Sequence, residues 1–445
     1  MASDLLSIGK SGAMAARTAL DVTAQNITNA STDGYVRRSV QLAELSSSGG
    51  IGRIGDVSLS GVRVDQVVRN ADMFRQSEVR RTGADAARAD AEVTGLQNTE
   101  DALEQSGAYD AVVAFEASLQ QLASDPTDTS LRASVVESAR TMTRTMNIAS
   151  QGLDQVGQGL QFEATDGVNQ VNILSGELAR VNLRLSRAAD ASSDQTTLLD
   201  QRDHLLEQLS QYVDVTTTFA PDQTVTVQLA GASGPTIVSG GTANTFAMTT
   251  ATDGTISFTL SGNPVVPVAG SLTGKAQALG KLKEIRGGLD TIAKSVIDTI
   301  NTAQANGVAL DGTTGTAMFS GSSAADMSLV MNDGSMLATA PAGAGADSRD
   351  QTNLAAMQSA LETADPAGAT DSLIFNISSA VQGRSVTRDA LDSIASAAKV
   401  TLSAQAGVSL DNEAANLVRY QQAFSASGRV MQVASDIFNS VLAIK

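Results

Sequence analysis

The sequence predicts a mainly α protein with a β insertion, and three observations carry that reading. Apolar residues recur at heptad spacing at both ends of the chain. Helical periodicity fills most of Met73 to Val213 and Gly274 to Ala406. Strict period-two alternation appears chiefly after Val213 and is soon replaced by a further helix. An amphipathic helix repeats its apolar face every 3.6 residues and a half-buried strand every two, so the period separates the two classes.

At the N-terminus, Leu6, Ala13, Leu20 and Ile27 occupy one heptad position. Gly9, Ala16, Thr23 and Ala30 form a companion row, and the Asn29 to Gly34 segment has the composition of a stop. A short strand pattern follows at 54–68, with Val57, Leu59, Val62, Val64 and Val67, expected as a hairpin packed on the helical part. Helices are predicted over 73–105, 111–123, 131–160, 168–187 and 198–213, with Asp125 and Pro126 as a break. After Val213 three segments alternate: 213–219, 224–229 and 255–260. Gly, Asn and Pro turns separate them, which gives a small β domain. A helix opened by Thr273 runs to Ala305. One or two short strands, such as 326–331, interrupt the Gly-rich 306–347 stretch. Helices return at 351–361, 370–382 and 387–406.

The C-terminal pattern is the strongest. Leu410, Leu417, Phe424, Met431 and Phe438 hold one heptad position, and Tyr420, Ser427, Ala434 and Val441 another. Glu413 falls on the second row and interrupts it. Such a seam predicts a coiled coil or a bundle helix. Over 410–445 it would be about 54 Å long. The expected organisation is 1–40 with 405–445 as a terminal coiled-coil layer, 41–213 with 271–404 as a helical-bundle body, and 214–270 as the β insertion. There is no internal repeat.

Composition narrows the function classes. Aromatic residues make up 3% of the chain and Trp is absent, so stacking platforms for sugars or bases are lacking. The net charge is −17, the opposite of a nucleic-acid footprint and unsuited to an anionic membrane. No apolar stretch reaches the roughly 18 residues of a membrane span. The first ten residues lack a basic region followed by an apolar core, so no cleaved signal peptide is expected.

Candidate chemistry fails residue by residue. With one His and no Cys, a zinc site has too few ligands. His204 lies on a helix without a nucleophile elbow elsewhere, and reads as a polar position beside an apolar seam. The Asp311 and Asn332 segments lack the spacing of a calcium loop and read as turns. Gly9-Lys10-Ser11 and Gly274-Lys275 lack parts of a phosphate loop. The acidic pairs Asp200/Asp203 and Asp101/Glu104 read as solvated helix faces. No catalytic residue, metal ligand or cofactor is expected.

The remaining signal is in the end segments. Asn26, Ile27, Asn29, Ala30, Thr32, Gly34, Tyr35 and Arg37 form a pattern that resembles the N-terminal signature of the flagellar axial proteins: rod, hook and hook-associated. Asp33 stands where that signature usually has Pro, a substitution a turn tolerates. Residues 407–444 resemble the family's C-terminal signature, and Glu413 with Asn416 is similar to its hook–filament junction members. Two inner blocks, 198–206 and 288–319, resemble the same members. The likeness covers about a third of the chain and omits 214–270.

The resemblance implies a non-enzymatic structural subunit in the extracellular flagellum. It implies a homo-oligomeric ring in contact with the hook subunit and a neighbouring hook-associated protein. It also implies export in an unfolded state and a cytoplasmic chaperone at the C-terminal helix. The expected assembly seam is Leu6, Ala13, Leu20, Ile27, Leu410, Leu417, Tyr420, Phe424, Met431, Ala434, Phe438 and Val441. The rival readings are a hook subunit, a flagellin-like protein and a secreted coiled-coil effector. Long helices over 73–213 disfavour a hook subunit, and paired end motifs are not needed by an effector.

Overall fold

The computed structural model describes residues 2–32, 34–47, 58–189 and 193–442. Asp33, Val57 and the side chain of Val441 lie outside the described residues. The fold is mainly helical, with a long helix at each end and most strands in the middle.

The chain opens with α1 (Ala2–Thr28), followed by an antiparallel hairpin of β1 (Arg38–Ser47) and β2 (Ser58–Arg69). Four helices follow: α2 (Met73–Glu104), α3 (Ala108–Leu122), α4 (Thr129–Leu185) and α5 (Ser193–Ser210). The break at Asp125 and Pro126 separates α3 from α4, and Asp128 caps α4 by accepting from the Ser130 and Leu131 amides at 2.7 and 2.9 Å. The two predicted helices over 131–160 and 168–187 are one helix of 57 residues. Within it Gly157 lies close to Leu282, where a Cβ would come within 3.1 Å of the Leu282 side chain. Its missing side chain serves close packing.

Residues 214–270 form two sheets. The first orders β3 (Thr216–Phe219), β4 (Val225–Gln228), β5 (Thr236–Ser239) and β6 (Thr242–Ala243) as an antiparallel meander. The second is β7 (Phe246–Thr250), β8 (Ile256–Leu260) and β9 (Asn263–Val265), with Phe246 stacked on Phe258 at 5.4 Å. Helix α6 (Ser271–Ala305) begins two residues before the predicted Thr273. That residue sits inside the first turn, its hydroxyl donating to Pro267 O and Ala269 O. Two-residue strands follow: β10 (Gly307–Val308), β11 (Phe319–Ser320), β12 (Ser328–Leu329) and β13 (Ala340–Pro341). The chain ends with α7 (Thr352–Ala364), α8 (Pro366–Ala406) and α9 (Leu410–Leu442). Predicted helices at 370–382 and 387–406 merge into α8, since one glycine costs a helix only about 1 kcal/mol.

Contacts divide the chain into two compact units. One holds Met1–Gly83, Asn172–Thr245 and Asp392–Lys445, the other Ala84–Val171 and Phe246–Leu391. The four-stranded sheet belongs to the first unit and the three-stranded sheet to the second. The second unit has a large apolar core around Phe115, Leu119, Met142, Met146, Leu289 and Phe319. Phe115 meets Phe319 edge to face at 5.9 Å. Arg132 is buried there and fully engaged: Nε donates to Pro126 O, Nη1 to Gly334 O and Leu337 O, and Nη2 to Thr339 Oγ1.

Candidate assembly interface at the chain ends

In the first unit, α1 packs along α9. A methyl at Gly9 would lie 2.7 Å from Met431 Cγ, and one at Gly12 would lie 2.8 Å from Ser427 Oγ. Position rises on one helix as it falls on the other, so the pair is antiparallel. The α1 surface used is made of small residues: Gly9, Ala13, Ala16, Ala19 and Thr23 are buried, and Val22 joins them. This is the companion row of the heptad pattern more than the Leu6 row. Leu6 is exposed, Ala13 buried, and Leu20 and Ile27 half-buried.

Helix α9 is divided in the same way. Ala434 and Glu413 are buried, while Leu417, Tyr420, Ser427 and Met431 are half-buried. Leu410, Phe424 and Phe438 are exposed, Phe424 by 45% and Phe438 by 57%. Val418, Val433 and Ile437 join them on exposed α9 surface. Of the expected seam the structure thus buries Ala13 and Ala434, half-buries Leu20, Ile27, Leu417, Tyr420 and Met431, and leaves Leu6, Leu410, Phe424 and Phe438 exposed.

The N-terminal signature works as a joint. Asn26 Nδ2 donates to Arg38 O at 2.9 Å, and Asn26 Oδ1 accepts from Arg38 N at 3.0 Å and Tyr35 Oη at 2.8 Å. One buried amide therefore imitates a strand partner and fixes the start of β1 on α1. Asn29 Nδ2 donates to Gln25 O and closes the helix end; Ala30 is half-buried beside it. Gly34 has φ +75° with His204 beside it, where a side chain would be strained and crowded. Next to this turn, Arg37 N donates to Ala406 O at 2.9 Å, and the Arg37 guanidinium lies 4.0 Å from Glu413, which is 3% exposed. The interruption in the second heptad row is thus a buried charge facing the other signature. Asn416 is half-buried on the next turn.

Behind this joint lies an ionic cluster that corrects the reading of Asp200 and Asp203 as solvated. Register places Arg38 opposite Arg69 on the hairpin. Arg38 reaches Asp200 at 3.0 Å, and Arg69 reaches Asp200 at 2.8 Å and Asp203 at 2.9 Å. Arg202 donates twice to Asp203 Oδ1, and its guanidinium lies 4.5 Å from the Phe219 ring centroid. Burial pushes the Asp203 carboxyl up, but Arg202 and Arg69 pull it further, below the usual carboxylate range. At Asp200 burial outweighs Arg69 and Arg38 and leaves it raised. The i, i+3 spacing showed that the two carboxylates share a helix face. It carried no sign that a hairpin over a hundred residues away covers them. Asp101 and Glu104 are exposed, as read. Asp311 accepts from the Thr313 amide and hydroxyl, and Asp333 from the Ser335 amide, as turns do.

Comparison with known proteins gives this geometry a context. Residues 6–35 match the family model described as flagella basal body rod protein. Residues 96–319, half of the chain, match the flagellar hook-associated protein FlgK helical domain. The chain belongs to the FlgK family. Members of the FlgK family are structural flagellar proteins, not enzymes. The chain is 23% identical to flagellar hook-associated protein 1 of Bacillus subtilis, over 96% of this chain and 95% of that one. It is 27% identical to the Salmonella typhimurium protein of the same name, over 72% of this chain but only 59% of the relative. The flagellar hook junction protein FlgK from Burkholderia pseudomallei shares the fold at a TM-score of 0.50 and 22% identity. That likeness covers 55% of this chain and 46% of the other.

Proposed function

We propose that this FlgK-family chain joins hook to filament, and that the uncovered row of α9 is the surface through which it assembles. The single observation that carries the reading is the division of α9. One face is engaged by α1, while Leu410, Phe424 and Phe438 stay exposed. Fully burying a Leu or Phe contributes roughly 1.5–3 kcal/mol. Three such side chains, each partly covered already, still leave a substantial gain for a neighbouring subunit. The terminal layer, 1–40 with 405–445, is the assembling part in this reading, and the rest of the chain is the body it carries.

The partners follow from the same reading. Further copies complete a ring, and the hook subunit and a neighbouring hook-associated protein meet its two sides. Before export, a cytoplasmic chaperone shields the C-terminal helix, and the assembled subunit is extracellular. The family match favours this over a hook subunit, a flagellin-like protein or a secreted effector. The test is Phe424→Asp. Incorporation into flagella, followed by motility and by immunoblotting of sheared filaments, is expected to fail. The purified variant should keep its helical circular dichroism and its melting profile. Loss of the folded state in solution would make the row an ordinary core and end the proposal.

A further inference from the structure

Two helix faces of the second unit are uncovered and turned in opposite directions. Helices α2 and α6 lie side by side there. A methyl at Gly95 would be 2.5 Å from Ala278 Cβ, and one at Gly274 would be 2.1 Å from Arg88 O and 2.9 Å from Glu92 N. Helix α4 sits in one groove of this pair, with Gly152 against Ala102 of α2 and Gly157 against Leu282 of α6. Helix α8 sits in the other groove. Its Leu373 lies against Gly288 of α6, and Arg384 Nε is 3.0 Å from Glu92 of α2. Asp154 of α4 pairs with Arg286 while Gly157 meets Leu282, so α4 runs antiparallel to α6. Leu373 is level with Gly288 and Arg384 with Gly274, beside Glu92, so α8 is antiparallel to α6 as well. Helices α4 and α8 therefore run in the same direction.

Away from the core, α4 presents Ile148 and Phe162, and α8 presents Phe375 and Val386, each more than half exposed. A solvated helix face ordinarily carries charge. These two do not. From 145 to 165, α4 has only Asp154 and Glu163, which pair with Arg286 and Lys275 of α6. From 372 to 387, α8 has only Arg384, which is paired with Glu92. Apolar surface rimmed by polar residues in this way marks an interaction site.

We propose that a second copy of this chain docks here, with the outer face of its α8 along the outer face of α4. The match between the two strips selects a second copy. Laying Phe375 against Ile148 sets Gln382 against Gln155, seven residues on in each, and Val386 against Gly159, eleven on. Steps of four, seven and eleven residues stay on one helix face. Gly159 has nothing within 4 Å of its missing side chain, which leaves room for Val386. Four residues back, the same register sets Arg144 against Asp371. Both are exposed and carry no ion pair among the described residues. The strips are parallel and on opposite flanks, so the copy need not turn over, and the contact repeats head to tail. One helix strip per side falls short of the roughly 800 Å² per partner of a stable interface, so the contact is transient in solution. The inference rests on the reading of the chain as a subunit that meets its own copies, and not on the uncovered row of α9.

The test is covalent capture. The chain has no Cys, so Gln155→Cys and Gln382→Cys each carry a single thiol. The two full-length variants, one with a size tag, are mixed and treated with a short bismaleimide. The mixed product is expected to form several-fold faster than either homodimer. Phe375→Glu, on exposed surface, should remove that excess and leave the helical circular dichroism unchanged. Arg144→Asp in the Gln155→Cys chain should lower the excess, and Asp371→Arg in the other chain should restore it. Recovery between two molecules is something a merely structural role would not give. The excess should persist with Phe424→Asp in both chains, so failure of the α9 row and failure of this contact are told apart. A mixed product no faster than the homodimers, an excess indifferent to Phe375→Glu, or a loss through Arg144→Asp that Asp371→Arg does not restore would overturn the proposal.

Discussion

At the scale of single residues, buried polar groups do the joining in the first unit. Asn26 serves both backbone groups of Arg38 and the Tyr35 hydroxyl. Asn26→Ala would leave those groups buried without partners, each at about 1–3 kcal/mol. The expected result is a loss of about 3 kcal/mol in urea unfolding, far more than Asn416→Ala on the half-buried turn of α9. A second prediction concerns acid. Asp203 is held below its ordinary range, so its contribution is complete above about pH 3.9 and is lost as pH falls through the folded pKa. Asp200 is shifted upward and acts in the opposite sense: its ionisation disfavours the fold as pH rises through the carboxylate range. Asp203→Asn should therefore cost about 3–5 kcal/mol at neutral pH and much less at pH 3, measured by urea midpoints. An equal cost at both pH values would show that its charge is not what stabilises the joint. The sequence showed Asn26 and Tyr35 as a pattern but not as a clamp, since Asn26 holds the Arg38 backbone twelve residues on and Tyr35 donates to Asn26 itself. It misplaced Asp200 and Asp203 because helix spacing specifies a shared face, not what covers it.

At the scale of elements, the period of the sequence is a guide to the type of each element and a poorer one to where long helices end. The heptads located α1 and α9 and the alternation located β3, β4 and β8. The gaps expected within α4 and α8 are places where the helices run on. In α1, glycine has another use: Gly9 and Gly12 bring α9 close, and the bulky Leu6 is left outside. Heptad position alone could not rank the two rows, because a row of Gly and Ala looks weaker than a row of Leu until backbone approach is considered. The contrast gives a paired prediction. Gly9→Ala places a methyl 2.7 Å from Met431 Cγ and 3.2 Å from the backbone at Met431 and Ser427, so α9 must shift, at about 1–3 kcal/mol. Gly428→Ala meets nothing within 4 Å and should strengthen α9 by about 0.5–1 kcal/mol. Amide exchange across 410–440 should accelerate in the first variant and slow in the second. The same direction in both would mean that close approach is not what holds the pair.

At the scale of the whole molecule, the pairing of α1 with α9 buries a different kind of surface from the core of the second unit. The second has a core of Leu, Ile, Met and Phe. The pairing of α1 with α9 in the first rests largely on Gly, Ala and Thr, while Leu410, Phe424 and Phe438 remain in solvent. Burial stabilises by about 0.8 kcal/mol per methylene, so a face of small side chains adds little per residue. Ordering the backbone costs roughly 1–2 kcal/mol per residue whatever the side chain. The terminal helices should therefore open far more readily than α3 or α6. In amide hydrogen exchange on the monomer, 4–28 and 410–442 are expected to exchange orders of magnitude faster than 108–122 and 271–305. Assembly should then slow exchange at the ends and leave the rest nearly unchanged, since only the ends gain buried surface. Equal protection of all four segments in the monomer would mean that the small-residue face suffices on its own. Family membership would stand, but the subunit would join a pre-formed layer, and ordering of the ends would not be coupled to assembly.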